Sequence, residues 1–562
     1  MQSDEVREKF LKFFERKGHK IMPSSSLVPE SDPSVLFTTA GMQQFKAYYM
    51  RPEDAPAKNV VSVQKCVRTS DIDEVGDDTH LTFFEMLGNF SFGGYGRREA
   101  ITYAYEFITK ELELDISYVT VYKGEGIVPR DAESYNIWKE LGMQDIREDG
   151  KDVFWGPTGD SGPCGPTTEI YCKNANGQDV EIWNIVFNEY FCDGSREKLD
   201  KGEANLKKLD VLGIDTGMGL ERLVTIVQKK KSFYETDLFD SIVVKIKELS
   251  TTQDSKAERI VAEHIRSAVF LITDGVVPGN EGRGYILRRV LRRAVRFSDN
   301  LGIPKNNLSK LAEVVVSQYK SNYDITNNLV MSEINKEEEK FKETLEKGMK
   351  EFKKGIDPFT LATTYGFPIE LTEELAKEEG RMIDRGDYEE KMKEHQKLSQ
   401  TASVGMFKGG LANHEPNTIK LHTAHHLLLA ALQEKFGKQV KQRGSNINEE
   451  RLRMDFVFDR KITDEEKKEI ENRVNEWISA GLPVIRHEMP LEEAEKLGAE
   501  MEFGAKYPPI VSVYKIMHAS GPVSIEFCGG PHVTNTNEIG HFKIQKEEAS
   551  SQGIRRIKAV LG

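Results

Sequence analysis

The 562-residue chain lacks the features that mark membrane, secreted and disulfide-rich proteins. It contains no run of 18 apolar residues, so we expect no membrane-spanning helix and no membrane partner. Its N-terminal segment is charged from Asp4 onwards and has no apolar signal-peptide core. Cysteine is scarce, and an odd number of scattered thiols favours a reducing, cytoplasmic compartment. The thiols are those of Cys66, Cys164, Cys172, Cys192 and Cys528.

The two common glycine-rich nucleotide motifs are also missing. There is no GxxxxGK[ST] and no GxGxxG after a strand-like run, which excludes a P-loop and a Rossmann dinucleotide site. The net charge of −13 argues against nucleic-acid binding by the whole surface. The sequence shows no internal repeat, and its length suggests about three to four domains.

The distribution of polar and apolar residues divides the chain into four segments. Residues 1–232 mix helix and strand patterns with dense Gly, Pro and Asp loops, whereas residues 233–402 are almost entirely helical in pattern. Residues 403–418 are rich in Gly, Pro and Asn and are predicted to form a linker. Residues 419–562 again mix strand and helix patterns. The sequence therefore predicts an α+β protein in which a helical domain separates two mixed ones.

One predicted helix carries an unusual concentration of positive charge. The stretch GRGYILRRVLRRAVRF (282–297) holds six arginines and no acid. Five of them repeat at three and four residues and so lie on one helix face. A solvated charged face is one interpretation, and a phosphate-binding face for nucleic acid is the other. We expect the second from Arg288, Arg289, Arg292, Arg293 and Arg296, because no acid lies nearby in sequence to pair with them.

The C-terminal segment contains two pairs of metal-ligand residues. His422 and His426 are four apart in HTAHHLLLAAL, which places them on one helix face. Cys528 and His532 are four apart in EFCGGPHV, where the glycines and proline require a tight loop. A single pair could be two histidines that flank a core, but the second pair completes a four-ligand set typical of zinc.

The N-terminal segment presents charged and aromatic residues on separate predicted elements. A strand at 60–71 ends by presenting Arg68, and LGIDTGMGLERL (212–223) turns from strand to helix through glycines and ends near Arg222. A rigid Gly/Pro loop is predicted at 155–171 and a buried strand at 181–190. Two arginines with an aromatic between them suit a nucleoside triphosphate, since arginine binds phosphate oxygens in bidentate fashion.

Several long stretches, in order along the chain, resemble the alanyl-tRNA synthetase family. They are LFTTAGMQQFK, TFFEMLGNFSFG, GPCGPTTEIY, IWNIVFN, DTGMGLERL, GNEGRGYILRRVLRRAVR, TYGFPIELT, HxxxH and CGGPHV. The resemblance covers residues 1–562. It implies a class II antiparallel catalytic domain (1–232), a helical tRNA-recognition domain (233–402) and a zinc-containing editing domain (419–562). It also implies a short form, without the C-terminal coiled-coil and globular region usual in the family.

The resemblance assigns roles in alanine activation. It implies that Arg68 holds the α-phosphate and the alanine carboxylate, that Arg222 holds the γ-phosphate, and that Asp215 binds the alanine ammonium, so that these three are the catalytic residues. It implies Mg²⁺ on the ATP phosphates. The remaining ATP contacts would be His80, Phe84, Gly217 and Gly219, and the alanine pocket would be walled by Met42, Trp155, Asn184 and Val186. Taken singly, Phe84 and Trp155 could be core aromatics and Asp215 a turn cap.

Further assignments concern editing and tRNA. A methyl-sized pocket rejects glycine and serine weakly, so a second, hydrolytic site for Ser-tRNA and Gly-tRNA is expected. Gln442 and Ser445 resemble editing-pocket residues, and His425 stands where the family has a threonine. Four protein ligands would leave one zinc ion no free position for water, so zinc is either positional or loses a ligand. Thr363 replaces an aspartate implicated in reading the acceptor stem.

The resemblance thus implies an alanine–tRNA ligase acting on ATP, L-alanine and the acceptor arm of tRNA(Ala), expected to be a cytoplasmic monomer. Two other functions stay open at this point. One is a deacylase whose synthetase part is only a scaffold, and the other is a catalytically silent tRNA-binding regulator. The presence of Arg68, Asp215 and Arg222 argues against both.

Overall fold

The computed structural model describes residues 1–29, 35–126, 128–404, 415–497, 499, 510–528, 530–551 and 553–562. The chain forms two compact units, Met1–Arg381 and Met382–Gly562. No helix in these described ranges combines the length and apolarity needed to cross a membrane. The finer domain boundaries at 232/233 and 402/403 remain predictions. Most of the predicted linker, 405–414, lies outside the described residues, while 403–404 and 416–418 are helical.

The first unit is built on a nine-stranded sheet. Its strands are β1 (Lys20–Ile21), β2 (Asn59–Val67), β3 (Phe83–Phe92), β4 (Tyr118–Tyr122), β5 (Ile146–Asp149), β6 (Phe154–Trp155), β7 (Gly162–Lys173), β8 (Asp179–Cys192) and β9 (Leu206–Gly219). The order is β1-β2-β3-β9-β8-β7-β4-β5, with β6 paired to β7. Only the outermost pairs are parallel, which confirms the predicted antiparallel sheet.

Helices pack around this sheet. They are α1 (Ser3–Arg16), α2 (Arg97–Glu106), α3 (Ala132–Glu140), α4 (Arg196–Asp200) and α5 (Leu220–Val227). The N-terminal helix α1 buries Phe10 and Phe14, which are four apart and therefore share a face. Both rings contact Trp183 of β8, at centroid distances of 5.9 and 6.3 Å. The amphipathic pattern thus fixes α1 on the sheet.

The predicted Gly/Pro loop at 155–171 is wrong over most of its length, because β7 begins at Gly162. The prolines fit because the pairing of β7 with β8 shifts register between Cys164 and Thr167. Gly165 lies at this irregularity and approaches β8 so closely that an added Cβ would lie 1.8 Å from the carbonyl oxygen of Phe187. The glycines and prolines therefore mark a bulge in a strand.

Helices make up the rest of the first unit, as predicted. They are α6 (Asp240–Leu249), α7 (Ser255–Thr273), α8 (Gly282–Asn300), α9 (Leu308–Tyr319), α10 (Asn327–Lys353), α11 (Pro358–Tyr365) and α12 (Ile369–Glu378). The long helix α10 buries Ile334, Phe341, Leu345 and Phe352 along one stripe. Spacings of four and seven residues keep these four side chains on one helix face.

The second unit is α+β. Its helices are α13 (Arg385–Val404), α14 (Pro416–Phe436), α15 (Asp464–Ser479) and α16 (Leu491–Lys496). Its strands are β10 (Gln442–Ile447), β11 (Leu452–Val457), β12 (Val484–Pro490), β13 (Ile510–His518), β14 (Gly521–Phe527), β15 (Phe542–Ser551) and β16 (Ile554–Leu561). They form one sheet of order β10-β11-β16-β15 and another of order β12-β13-β14. On β11, the alternating residues Leu452, Met454 and Phe456 are buried.

Candidate active site and metal centre

A cavity of about 320 Å³ opens on the sheet of the first unit. It is lined from β8 and β9, from the loop that joins β2 to β3, and from the start of α5. Ten residues predicted from the sequence line it: Arg68, His80, Phe84, Trp155, Asn184, Val186, Asp215, Gly217, Gly219 and Arg222. Segments up to 154 residues apart in sequence therefore meet at one site.

Arg68 and Phe84 lie beside each other at one end of the cavity. Phe84 is on β3 opposite Cys66 of β2, and Arg68 follows two residues after Cys66. The backbone N–H of Arg68 donates to the carbonyl of Thr82 at 2.9 Å, which continues the pairing beyond the strand. The Arg68 guanidinium lies 5.1 Å from the centre of the Phe84 ring. The pair offers a positive charge next to an aromatic face.

Arg222 lies in the first turn of α5, where the β9 chain turns into a helix at Gly219. Its Nη1 donates to the carboxylate of Glu181 at 3.1 Å and to the carbonyl of the same residue at 3.2 Å. Glu181 also lines the cavity, and the sequence analysis did not identify it. The guanidinium is only half-buried, so it stays accessible to an anion.

Asp215 supplies a buried carboxyl group. It lies on β9 opposite Val186 of β8, and its side chain is almost fully enclosed. Burial raises its pKa to about 8, because the charged form loses its hydration. Nearby Gly217 lies close against the side chain of Met86, since an added Cβ would lie 2.9 Å from its sulfur. At this point the cavity lining combines the Asp215 carboxyl group with the apolar side chains of Val186 and Met86.

Glu169 is a second lining acid that sequence reasoning missed. Its carboxylate accepts from Asn184 Nδ2 at 3.2 Å, from the Tyr171 hydroxyl at 2.9 Å and from Thr120 Oγ1 at 3.1 Å. Burial, reinforced by the charge of Glu181, raises the pKa of Glu169 to about 7. Treating 155–171 as a loop concealed Glu169, because only a strand places it on the cavity side.

Met42 lies outside the cavity lining. It is completely buried in a core cluster with Phe45 and Phe90, against which Trp155 packs. The hydroxyl of Thr158 lies 3.7 Å from its sulfur. Met42 therefore supports Trp155 from the core, and its place in the alanine pocket stays a prediction.

In the second unit, the two predicted ligand pairs come together. The ligand atoms of His422, His426, Cys528 and His532 all lie within 4.8 Å of one another. The first two residues are on α14 and the others follow β14. The Cys528 sulfur lies 3.3 Å from Nε2 of both His422 and His532. This arrangement is compact enough for a single tetrahedral ion.

Each imidazole of the cluster is oriented through its Nδ1. His422 Nδ1 lies 3.0 Å from the carbonyl oxygen of Pro531, and His532 Nδ1 lies 3.2 Å from Thr423 Oγ1. His426 Nδ1 makes a short hydrogen bond to the buried carboxylate of Glu526. Such anchoring leaves the Nε2 atoms for coordination, as in zinc sites.

The sulfur of Cys528 also suits a metal. Its burial alone would raise the pKa of the thiol, but hydrogen bonds from His426 and His532 outweigh that effect and lower the pKa to about 6. The thiolate is the form that binds zinc. The residues present therefore fit zinc.

The predicted editing-pocket residues lie on two neighbouring elements. Gln442 and Ser445 are half-buried on β10. His425 is buried on α14, with its ring centre 5.7 Å from that of His426, and burial lowers its pKa to about 3. Within the described part of the chain, neither His425 nitrogen has a hydrogen-bond partner.

The predicted phosphate-binding arginine face requires a correction. The five side chains on α8 are only 4–17% exposed, and each is paired with a distant acid. Arg288 and Arg292 pair with Glu337 of α10, and Arg293 and Arg296 pair with Glu374 of α12. The partner of Arg289 is Asp73, at 2.5 Å. The acids missing nearby in sequence come from other elements, so this face is not a free phosphate-binding surface.

Thr363 is exposed on α11. Its hydroxyl donates to the carbonyl of Phe359 at 2.8 Å, one turn earlier in the same helix. The hydroxyl oxygen keeps its lone pairs to accept a hydrogen bond from a ligand.

Two family profiles match the chain. Residues 5–427 match "tRNA synthetases class II (A)", and residues 511–558 match "Threonyl and Alanyl tRNA synthetase second additional domain". The antiparallel sheet with its cavity and the first of these matches define a class II tRNA synthetase.

Individual relatives narrow the class. The chain is 44% identical to "Alanine--tRNA ligase" of Borrelia hermsii, over all of both chains. It is 36% identical to "Alanine--tRNA ligase" of Dehalococcoides mccartyi (strain 195), over the whole of this chain and 80% of that one. The chain belongs to the alanine–tRNA ligase family. Among solved structures it is similar to apo histidyl-tRNA synthetase of S. aureus, at 12% identity and a TM-score of 0.27, over 40% of this chain and 65% of that chain; so low a score adds nothing to the assignment.

Proposed function

We propose that the chain attaches L-alanine to the 3′ end of tRNA(Ala) through an alanyl-adenylate and removes wrongly attached serine and glycine in its second unit. The observation that carries this proposal is the cavity of the first unit. There a buried acid, Asp215, lies in a lining that also contains the apolar side chains of Val186 and Met86, two arginines and Phe84. An amino acid with a methyl side chain and a nucleotide match those groups.

In the activation step, an alanine carboxylate oxygen attacks the α-phosphorus of ATP. The new C–O–P bond forms as the bond to pyrophosphate breaks, so no protein nucleophile is required. Arg68 neutralises charge at the α-phosphate and carboxylate, and Arg222 holds the γ-phosphate. Mg²⁺ bound with ATP would neutralise the departing pyrophosphate. Asp215 holds the ammonium group and so fixes the carboxylate for attack.

The nucleotide and the amino acid occupy different walls of the cavity. Adenine stacks on Phe84, with His80, Gly217 and Gly219 beside the nucleotide. The methyl group of alanine faces Trp155 and Val186, while Asn184 contacts the polar end of the amino acid. In the second step, a ribose hydroxyl of the tRNA acceptor arm displaces AMP from the adenylate.

The second unit would hold zinc through His422, His426, Cys528 and His532. Zinc would supply a positive charge and fix the Cys528 loop against α14. His425, Gln442 and Ser445 are the residues of this unit that we assign to the wrongly attached amino acid. Editing is needed because one methyl group changes binding by only about 1–3 kcal/mol.

We also infer that the protein is a cytoplasmic monomer and that Thr363 faces the acceptor stem.

The activation chemistry is tested by alanine-dependent ATP–pyrophosphate exchange. Arg68→Ala and Arg222→Ala should each reduce exchange about a hundredfold to a thousandfold, because each removes a positive charge that stabilises the transition state. The matched control is Arg98→Ala, which removes an exposed arginine of α2 that is paired with Glu140 of α3. Exchange that survives in Arg68→Ala would refute the role of Arg68. A wild-type protein without exchange would refute the activity itself and favour a deacylase or a regulator.

A further inference from the structure

The loop that joins β2 to β3, residues 69–82, brings four residues to the cavity: Asp71, Thr79, His80 and Leu81. Asp77 organises its tip from within. One oxygen of Asp77 accepts the backbone N–H groups of Thr79 and His80, both at 2.8 Å, and the other lies 2.7 Å from His80 Nδ1. The loop therefore presents a defined surface to the nucleotide, but these bonds do not fix it relative to the sheet.

Arginines of α7 and α8 hold the outer side of this loop. Arg289 Nη2 binds Asp73 Oδ2 at 2.5 Å. Arg293 donates to the carbonyl of Ile72 and, at 3.4 Å, to that of Asp73. Arg259 Nη1 lies 3.0 Å from Asp78 Oδ1 and 3.4 Å from the carbonyl of Gly76. Successive points of the loop are thus attached to two helices.

Packing supports the same attachment. Gly76 has φ +118°, and an added Cβ would lie 2.9 Å from Ile260 Cγ1 of α7, so the loop backbone rests directly on that helix. At the end of the loop, Glu263 of α7 accepts the backbone N–H groups of Thr82 and Phe83 at 2.7 and 3.0 Å. Arg293 is itself fixed by Glu374 at 2.8 Å and lies 2.9 Å from His264 Nε2.

We propose that Arg259, Arg289 and Arg293 are positioning residues for ATP, which hold the 69–82 loop in the conformation that meets the nucleotide. The inference rests on the proposed function of the cavity, and it gives the arginine face of α8 a role in the activation step. None of the three guanidinium groups is among the cavity-lining residues, so they act through the loop.

The test is the pair Arg289–Asp73, because Arg293 is buried and its replacement could prevent folding. In tRNA-free exchange, Arg289→Gln should raise KM for ATP about two- to fivefold and leave kcat within about twofold. Asp73→Asn should have the same effect. The double variant should be no worse than either single one, because both changes break the same contact. Arg289→Lys, which keeps the charge, should recover most of the loss.

The control variant is Lys305→Gln, which breaks an exposed ion pair with Glu346 in the same unit; it should leave KM for ATP unchanged. The proposal is overturned if Arg289→Gln and Asp73→Asn leave KM for ATP unchanged, or if kcat falls in step with the melting temperature while KM stays constant. The proposal is also overturned if Arg289→Gln raises KM for tRNA and leaves KM for ATP unchanged. That result would mean that Arg289 binds a tRNA phosphate. Absence of exchange in the wild type would instead refute the proposed function.

Discussion

Asp215 combines two properties at the level of a single residue. It is enclosed on β9, and its enclosure raises its pKa to about 8. Near neutral pH, the empty site therefore holds mostly the protonated acid, whereas an alanine ammonium requires the carboxylate. Binding of the amino acid must then release a proton from Asp215, which couples substrate affinity to pH.

We predict that KM for alanine in the exchange reaction falls about tenfold per unit as pH rises from 6.5 towards 8 and then levels off. The reason is that each unit of pH below the pKa of Asp215 reduces the carboxylate fraction by that factor. The measurement is exchange at several pH values with saturating ATP. KM for ATP serves as the internal control, because Asp215 does not bind ATP in our proposal. A KM for alanine that is constant over this range would contradict the prediction.

The same pKa has a consequence for stability. The folded-state pKa lies above the ordinary value of 3.8, so unfolding releases a proton and the stability contributed by this group is lost as pH rises through about 8. Asp215→Asn should therefore raise the melting temperature of the ligand-free protein at pH 8.5 while abolishing exchange. An equal or lower melting temperature in Asp215→Asn would show that the carboxylate is better solvated than its burial indicates.

At the level of elements, the metal centre depends on one helix and one turn. The groups that anchor the imidazole rings come from both parts of the site. Thr423 is on α14, whereas Glu526 is on β14 and Pro531 lies in the turn that follows it. The buried Glu526 carboxylate also accepts the Ser524 hydroxyl at 2.8 Å. It is thus held in place before any ion binds, and its negative charge favours a cation nearby.

We predict that Glu526→Gln lowers zinc affinity about 10- to 100-fold, because it removes the charge that orients His426. Cys528→Ala should remove bound zinc altogether. Elemental analysis gives zinc content, and competition with a chelator gives affinity. Glu538→Gln, an exposed acid that caps a nearby turn, is the matched control and should bind zinc like the wild type. Full zinc content in Cys528→Ala would mean that these four residues are not the ligand set.

The elements that the sequence predicted well are those with local causes. Glycines predicted the turn from β9 to α5, and the three- and four-residue repeat of arginines predicted helix α8, because both signals lie within a few residues. The prediction of a free arginine face on α8 was wrong for the opposite reason. Its partners Asp73 and Glu374 lie 216 and 81 residues away in the chain, and no local pattern contains them. Glu169 was missed because prolines within a strand resemble a loop.

For the whole molecule, the division into Met1–Arg381 and Met382–Gly562 places the activation cavity and the His/Cys cluster in different units. The activation cavity is lined by residues 40–233 and the His/Cys cluster lies in residues 422–532. The predicted boundary at 232/233 falls inside the first unit, because α7 and α8 pack against the 69–82 loop. The boundary at 232/233 therefore stays a prediction about a division within the first unit.

We predict that a fragment of residues 1–381 folds alone and keeps exchange activity within about threefold of the whole chain, since a compact unit carries its own core. The fragment should have no activity on Ser-tRNA(Ala). Exchange and deacylation by the fragment are compared with those of the full chain and of its Cys528→Ala variant. A fragment ending at residue 232 is the control and should be insoluble or inactive. An inactive 1–381 fragment would show that the second unit is required for activation.

The buried cysteines also provide natural labelling sites that report on unfolding. All five thiols are free and buried, four in the first unit and Cys528 alone in the second. Burial raises the pKa of Cys164 and of Cys172 to about 12, so these thiols stay unreactive while the sheet is intact. A maleimide added along a denaturant series would therefore modify one thiol when the second unit opens and four when the first does. The mass of the product alone then reports which unit has unfolded, with no engineered probe.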